Sequence, residues 1–180
     1  MQNIFKVLVI AFATGFFSIV GISTTTVYAH TYYNNHCPSE GIAKADAIAK
    51  SIADRVMANP NYKTDLDKVS AAAREVAQYT ARGTYGADAN KYYRTPYGVF
   101  VTGNWTCAGS TRALGLVLEF MGYEWTHVNE NEWLHQWNVL YMDGKIGYAD
   151  AAVINTGRAG YGTYEWGEQV VREAKARQNK

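Results

Sequence analysis

The stretch from residue 103 to residue 150 constrains the fold more than any other part of the chain. Apolar side chains recur at helical spacing over residues 108–120, and Gly122 stands where a helix stop is expected. Residues 123–128 then have the aromatic and β-branched content of a strand. This half of the stretch therefore predicts a helix followed by a strand.

A hairpin completes the stretch. Asp143-Gly144 is a strong signal for a two-residue turn, and it joins the strand-like segments 135–142 and 145–148. Counting back from the turn gives the register of the two strands, because the turn determines which residues face each other. The predicted opposite pairs are Met142 with Lys145, Leu140 with Gly147, Asn138 with Ala149, and Trp137 with Asp150.

Three residues with acyl-transfer chemistry follow one another in this stretch. Cys107 lies at or just inside the helix start, where unpaired N–H groups and the helix dipole lower the pKa of a thiol. His135 shares a face with Trp137, so the register brings it close to Asp150. The chain thus supplies a nucleophile, a base and a carboxylate that orients the base.

These segments resemble the core of a known superfamily. The motifs are Tyr97-Gly98-Val99-Phe100, Gly103, Cys107-Ala108-Gly109, His135-Gln136-Trp137-Asn138, Asp143-Gly144-Lys145 and Tyr148-Ala149-Asp150. In this order they resemble the transglutaminase-like superfamily in its bacterial secreted form, over residues 64–153. The resemblance implies an α+β, papain-like fold with helices packed on an antiparallel sheet. It also implies that Cys107 is the nucleophile, at a helix N-terminus, with His135 as the base and Asp150 as its orienter. Ala108 departs from the Trp or Glu common in that family.

The resemblance implies a secreted, cysteine-dependent acyl transferase or hydrolase. Such an enzyme acts on carboxamide or peptide bonds of a peptide or protein, including cell-wall peptide, through a thioester. An amine acceptor would give a crosslink and water would give hydrolysis. Two alternatives stay open: a catalytically silent module of the same fold that binds peptide or cell-wall material, and an envelope peptidase or amidase.

Further residues are candidates for supporting roles. An oxyanion is expected to be held by the backbone N–H of Cys107, with Asn104 or Trp105 as a second donor. Trp133 and Trp137 are candidates for the walls of a substrate cleft. We interpret the remaining aromatic side chains of this region as core and rim.

Each of the two central residues, Cys107 and His135, has an alternative interpretation. Cys107 is also a candidate for a disulfide with Cys37, the only other cysteine in the chain. His127 is the alternative histidine, but it stands in mid-strand without an acidic register partner.

The first 29 residues predict secretion. A short segment with one cation, an apolar run over 7–22 and a small, polar end at Val27-Tyr28-Ala29 have the three regions of a signal peptide. We expect cleavage after Ala29, a secreted or extracytoplasmic protein, and no stable membrane insertion afterwards. An uncleaved anchor is the alternative, although the apolar run is short for a span of about 20 residues.

Composition excludes several other functions. Loss of Lys6 with the signal peptide leaves sixteen basic and sixteen acidic residues, so nothing indicates a nucleic-acid partner. The chain has neither zinc-ligand spacing nor a phosphate-binding glycine loop after a strand, so the sequence implies no metal and no other cofactor. About 150 residues suffice for one domain with a usable core.

The rest of the chain divides into two parts. Residues 30–63 predict a loose arm and a helix that is capped by Ser39 and ends at Asn59-Pro60. Residues 64–180 comprise the transglutaminase-like domain, including a charged helix from about residue 166. Its first helix has a capping box of Thr64 and Asp67 and ends before a loop, 83–96, that is long enough to rim a cleft. We expect this domain and the helix over 39–63 to form one globular unit.

Overall fold

The computed structural model describes residues 32–34, 36–86, 91–128, 135–152 and the backbone of 161–163. Helices and a small antiparallel sheet give an α+β fold. The helices are α1 Ser39–Ala58, α2 Asp65–Arg82 and α3 Cys107–Phe120, with a π-helical turn at Gly98–Thr102. The strands are β1 Thr84–Tyr85, β2 Asn104–Trp105, β3 Trp125–Val128, β4 Trp137–Met142, β5 Lys145–Asp150 and β6 Tyr161–Thr163.

The main sheet has the order β3-β4-β5-β6, and all of its neighbours are antiparallel. Asp143 and Gly144 both have positive φ, 51° and 76°, as a two-residue turn of type I′ requires. The register predicted from this turn is confirmed at Asn138–Ala149, Leu140–Gly147 and Met142–Lys145. β4 begins at Trp137, so His135 precedes the strand rather than lying within it.

The predicted N-terminal cap is present in α2 but not in α1. The Thr64 hydroxyl accepts from the N–H of Asp67 at 3.0 Å and the Asp67 carboxylate accepts from the N–H of Thr64, so the predicted capping box is confirmed. The prediction of Ser39 as an N-cap is wrong. Pro38 occupies the cap position, where its extended backbone directs its carbonyl to the N–H of Ile42 at 3.0 Å.

The core surrounds α3. Leu114, Val117 and Leu118 have no exposed surface, and the alanine-rich faces of α1 and α2 pack on the same helix. This close packing excludes water from most of α3. Cys107, at its first turn, is therefore held by a rigid, buried element.

Gly115 lets β3 approach α3 closely. An added Cβ would lie 1.9 Å from the ring of Trp125, which cannot move away without disturbing the packing of Tyr32. We expect Gly115→Ala to lower the free energy of unfolding by about 1–3 kcal/mol through overpacking, despite the helix propensity of alanine. Urea unfolding followed by circular dichroism measures this. Gln78→Ala, on the exposed face of α2, is the control, and equal stability of the two variants would contradict the expectation.

Tyr32 and Tyr33, in the described part of the N-terminal arm, pack on the rest of the fold. Tyr32 is 9% exposed and stacks on Trp125 with ring centroids 5.7 Å apart. The Tyr33 hydroxyl donates to Asp46 at 2.6 Å. These contacts hold the arm against α1 and β3, because burial of two aromatic rings offsets the entropy of ordering the chain.

The predicted loop 83–96 contains a short strand. Thr84 and Tyr85 pair in parallel with Asn104 and Trp105, and the N–H of Gly86 donates to the carbonyl of Trp105 at 2.9 Å. β2 leads directly into α3. The pairing therefore places Tyr85 beside the start of that helix.

Several predictions lie outside the described residues: the signal peptide over 1–29, Trp133, and the charged helix from about residue 166. In the part of the chain that the structure describes, no helix has both the length and the apolar character to span a bilayer.

Candidate active site

Cys107 is the first residue of α3 and is 8% exposed. Thr106 precedes it in an extended conformation, and its carbonyl accepts from the N–H groups of Gly109 and Ser110 at 2.9 and 3.0 Å. The first N–H groups of a helix have no partner within it. Here the N–H of Ala108 hydrogen bonds to the Cys107 thiol, so the helix start favours the thiolate.

His135 and Asp150 meet as the hairpin register predicted. His135 Nε2 lies 2.7 Å from Asp150 Oδ2, and the two side chains are 16% and 12% exposed. Because Nε2 is engaged, Nδ1 is the ring nitrogen left to face the Cys107 thiol, with which His135 also hydrogen bonds. The structure thus brings all three predicted residues together.

The carboxylate of Asp150 is itself held on both oxygens. The Tyr148 hydroxyl donates to Oδ2 at 3.2 Å, and the N–H of Ala152 donates to Oδ1 at 2.7 Å. Tyr148 stands two residues before Asp150 on β5, so both side chains share one face of the strand. Sequence reasoning treated Tyr148 only as a core or rim residue. Its hydroxyl helps to fix the carboxylate that orients His135.

Electrostatics favour an ion pair between cysteine and histidine. Burial alone would raise the pKa of Cys107, but the hydrogen bond and charge of His135, with smaller effects of Tyr85 and Ala108, lower it overall. Burial likewise opposes the charged form of His135, yet its bonds to Asp150 and Cys107 raise the pKa of His135 to about 9. Compared with the isolated groups, the pair therefore favours thiolate and imidazolium.

Tyr85 is the site residue that sequence reasoning missed. Its hydroxyl hydrogen bonds to the Cys107 thiol and to the backbone N–H of Cys107. Its ring packs edge-on against Trp105 at 4.9 Å, although the residue is 56% exposed. Burial of the hydroxyl and the nearby thiolate raise the pKa of Tyr85, so this hydroxyl keeps its proton.

The side chains of the two predicted oxyanion donors, Asn104 and Trp105, have partners within the fold. Trp105 is 2% exposed, and its Nε1 donates to the carbonyl of Thr80 at 2.9 Å. The Asn104 amide nitrogen lies 3.4 Å from the carbonyl of Thr84. Both side chains are buried, because β2 packs on β1, the π-helical turn and α3. Their side-chain nitrogens thus have carbonyl partners on β1 and α2.

The other predicted residues take mainly structural positions. Trp137 is 7% exposed, and its ring centroid lies 5.9 Å from that of His135 and 6.0 Å from that of Tyr148. It therefore packs beside the imidazole. His127 Nε2 lies 2.7 Å from Gln136 Oε1, and burial lowers its pKa. His127 therefore has an amide partner, where His135 has a carboxylate.

The alternative disulfide does not form. Cys37 and Cys107 are both free, and the Cys37 thiol instead lies 3.8 Å from the Thr95 hydroxyl. Within the described ranges, no group of three or more His, Cys, Asp or Glu residues could hold a metal ion.

One solved structure shows the fold class. The crystal structure of a TGase, a transglutaminase, aligns with this chain at a TM-score of 0.54 and 19% sequence identity. The alignment covers 76% of this chain and 39% of the TGase chain. Searches against protein-family models and curated proteins found no match. The likeness supports a transglutaminase-like fold for this chain.

Proposed function

We propose that the protein is a cysteine acyl transferase or hydrolase of transglutaminase-like, papain-like architecture. The observation that carries this proposal is the His135–Asp150 contact of 2.7 Å, next to a thiol at a helix start whose pKa is lowered. A buried histidine with a carboxylate on one nitrogen and a thiol on the other is the arrangement that nucleophilic cysteine catalysis needs.

The reaction proceeds in two halves. The Cys107 thiolate attacks a carboxamide or peptide carbonyl, so a C–S bond forms and the carbonyl electron pair moves to oxygen. Collapse of this intermediate breaks the C–N bond, and the departing amine takes the proton of His135. His135 then removes a proton from water or an amine, which attacks the thioester and releases Cys107 as thiolate.

Two donors are close to the developing oxyanion. The backbone N–H of Cys107 is one, and the Tyr85 hydroxyl, which hydrogen bonds to both this N–H and the thiol, is the second. When a substrate oxygen occupies this position, the hydroxyl transfers its hydrogen bond to that oxygen. Tyr85 thereby takes the role that sequence reasoning gave to Asn104 or Trp105.

The substrate is a peptide or protein, including cell-wall peptide as one such substrate. The predicted signal peptide supports a reaction outside the cytoplasm. Water as the acceptor would make the protein an envelope peptidase or amidase, and an amine would make it a crosslinking enzyme. The free state of Cys107 and its contact with His135 favour catalysis over a silent binding module.

The test is intact-mass measurement after brief iodoacetamide treatment near pH 6. We expect a single fast adduct that is absent in Cys107→Ala and retained in the matched variant Cys37→Ala. His135→Ala should slow the adduct, because the thiol loses its cationic partner. A wild-type protein that reacts no faster than a simple thiol such as glutathione would contradict the proposal.

A further inference from the structure

Three cations surround a cavity close to the start of α3. Lys91, Arg94 and Arg112 line a cavity of about 330 Å³, and no carboxylate is among its described lining residues. Arg112 also lines an adjoining cavity of about 320 Å³ with Trp125 and His127. Arg112 and Tyr32 thus line both recesses, and each recess also has further aromatic side chains in its wall.

Arg112 is a partly buried charge that none of the described carboxylates pairs with. Its Nη1 donates to the carbonyls of Arg94 and Ala108 at 3.1 and 3.2 Å, and no described carboxylate pairs with it. Burial and the charge of Arg94 lower the pKa of Arg112. Buried charges in proteins are usually paired, because desolvation without a partner is costly. An anion in the cavity would remove that cost.

The carboxylates behind the cavity walls are already engaged. Glu119 accepts from the Tyr32 hydroxyl and from Trp125, and Asp46 accepts from Tyr33. These bonds direct both carboxylates to tyrosines, and neither forms a described ion pair with Arg94 or Arg112.

The cavity is also close to the thiol. Arg112 stands little more than one helical turn after Cys107, and its side chain folds back to the carbonyl of Ala108. Its charge interacts with that of Cys107. A group bound by Arg112 would therefore lie only a few peptide residues away from the bond that Cys107 attacks.

We propose that Arg112, with Arg94 beside it, forms a subsite for a carboxylate of the peptide substrate. A guanidinium presents a planar pair of donors that matches a carboxylate. Tyr93, over whose ring Arg94 lies at 5.3 Å, and Trp125 supply flat surfaces for the adjoining peptide. The carboxylate belongs either to an acidic side chain or to a free chain end. This inference rests on the proposed function, whose substrate it narrows to peptides that carry a carboxylate close to the reacting bond.

The experiment uses reagents that alkylate Cys107 without any acyl chemistry. Bromoacetyl-alanyl peptides ending in a glutamyl amide or a glutaminyl amide differ only in a side-chain carboxylate. A second pair, ending in alanine or alanine amide, differs only in a terminal carboxylate. Each rate, read by intact mass, is divided by the iodoacetamide rate of the same variant, which removes effects on the thiol itself.

We expect one carboxylate reagent to react about tenfold faster than its amide, and the preference to fall in high salt. The faster pair identifies the source of the carboxylate. Arg112→Gln should bring the ratio to about one, whereas Arg74→Gln, an exposed arginine on α2, should leave it unchanged. Equal rates within both pairs in the wild type would overturn the subsite.

A second measurement does not depend on a reactive thiol. In Cys107→Ala, the acetyl analogues of the same peptides are titrated while the NMR signals of His127 and Trp125 are followed. Tighter binding of a carboxylate peptide, lost on the further change Arg112→Gln, supports the subsite even if Cys107 proves inert. Equal binding of acid and amide overturns it even if Cys107 is highly reactive.

Discussion

Asparagine in place of His135 is expected to slow acylation of Cys107 by a p-nitrophenyl ester about 10²–10⁴-fold. The substitution removes the imidazolium that offsets the burial of the thiolate, so the pKa of Cys107 rises. Stopped-flow release of p-nitrophenol measures the rate.

The dependence of the acylation rate on pH tests the same role of His135. In the wild type the rate should rise with pH as Cys107 ionises at its lowered pKa, and fall as His135 loses its proton at about 9. In His135→Asn the fall near pH 9 should disappear, and the rise should move to higher pH. His36→Asn is the matched control, since that histidine is exposed and lies outside the site. Equal losses in both variants would indicate disturbed folding rather than a lost base.

The histidine and aspartate could be predicted from sequence because a local signal determines their pairing. Asp143-Gly144 forms the turn, and a turn of two residues leaves only one register for β4 and β5. The periodicity of α3 likewise located Cys107 at a helix start. Both predictions depend on residues that are near each other in the chain.

Tyr85 could not be predicted in this way. β1 has two residues, too few for any periodic pattern, and its main-chain bonds reach Gly103 and Trp105 across a long connection. The direction of the Trp105 indole depends on the Thr80 carbonyl of α2, which sequence spacing does not reveal. The cavity at Arg112 could not be predicted for a similar reason. Tyr32 lines it, and the position of Tyr32 depends on its stacking on Trp125. Long-range packing decided these contacts.

Phenylalanine in place of Tyr85 separates oxyanion stabilisation from thiol activation. Alkylation by iodoacetamide displaces iodide and forms no oxyanion, whereas acylation by a p-nitrophenyl ester passes through one. We expect Tyr85→Phe to slow acylation about 10²–10³-fold, as loss of one oxyanion donor does. Alkylation should change less than severalfold once the pH is high enough to ionise Cys107 fully.

The comparison of the two reactions also tests the opposite role for the tyrosine. Tyr85 is 56% exposed and its hydroxyl hydrogen bonds to the thiol in the free protein, so a tyrosine that only blocked the site would slow both reactions. Its removal would then accelerate acylation and alkylation together, which would contradict a donor role. Tyr141→Phe, on an exposed position of β4, controls for loss of a tyrosine hydroxyl. A selective loss of acylation in Tyr85→Phe alone would assign the second oxyanion donor to β1, because only that reaction needs one.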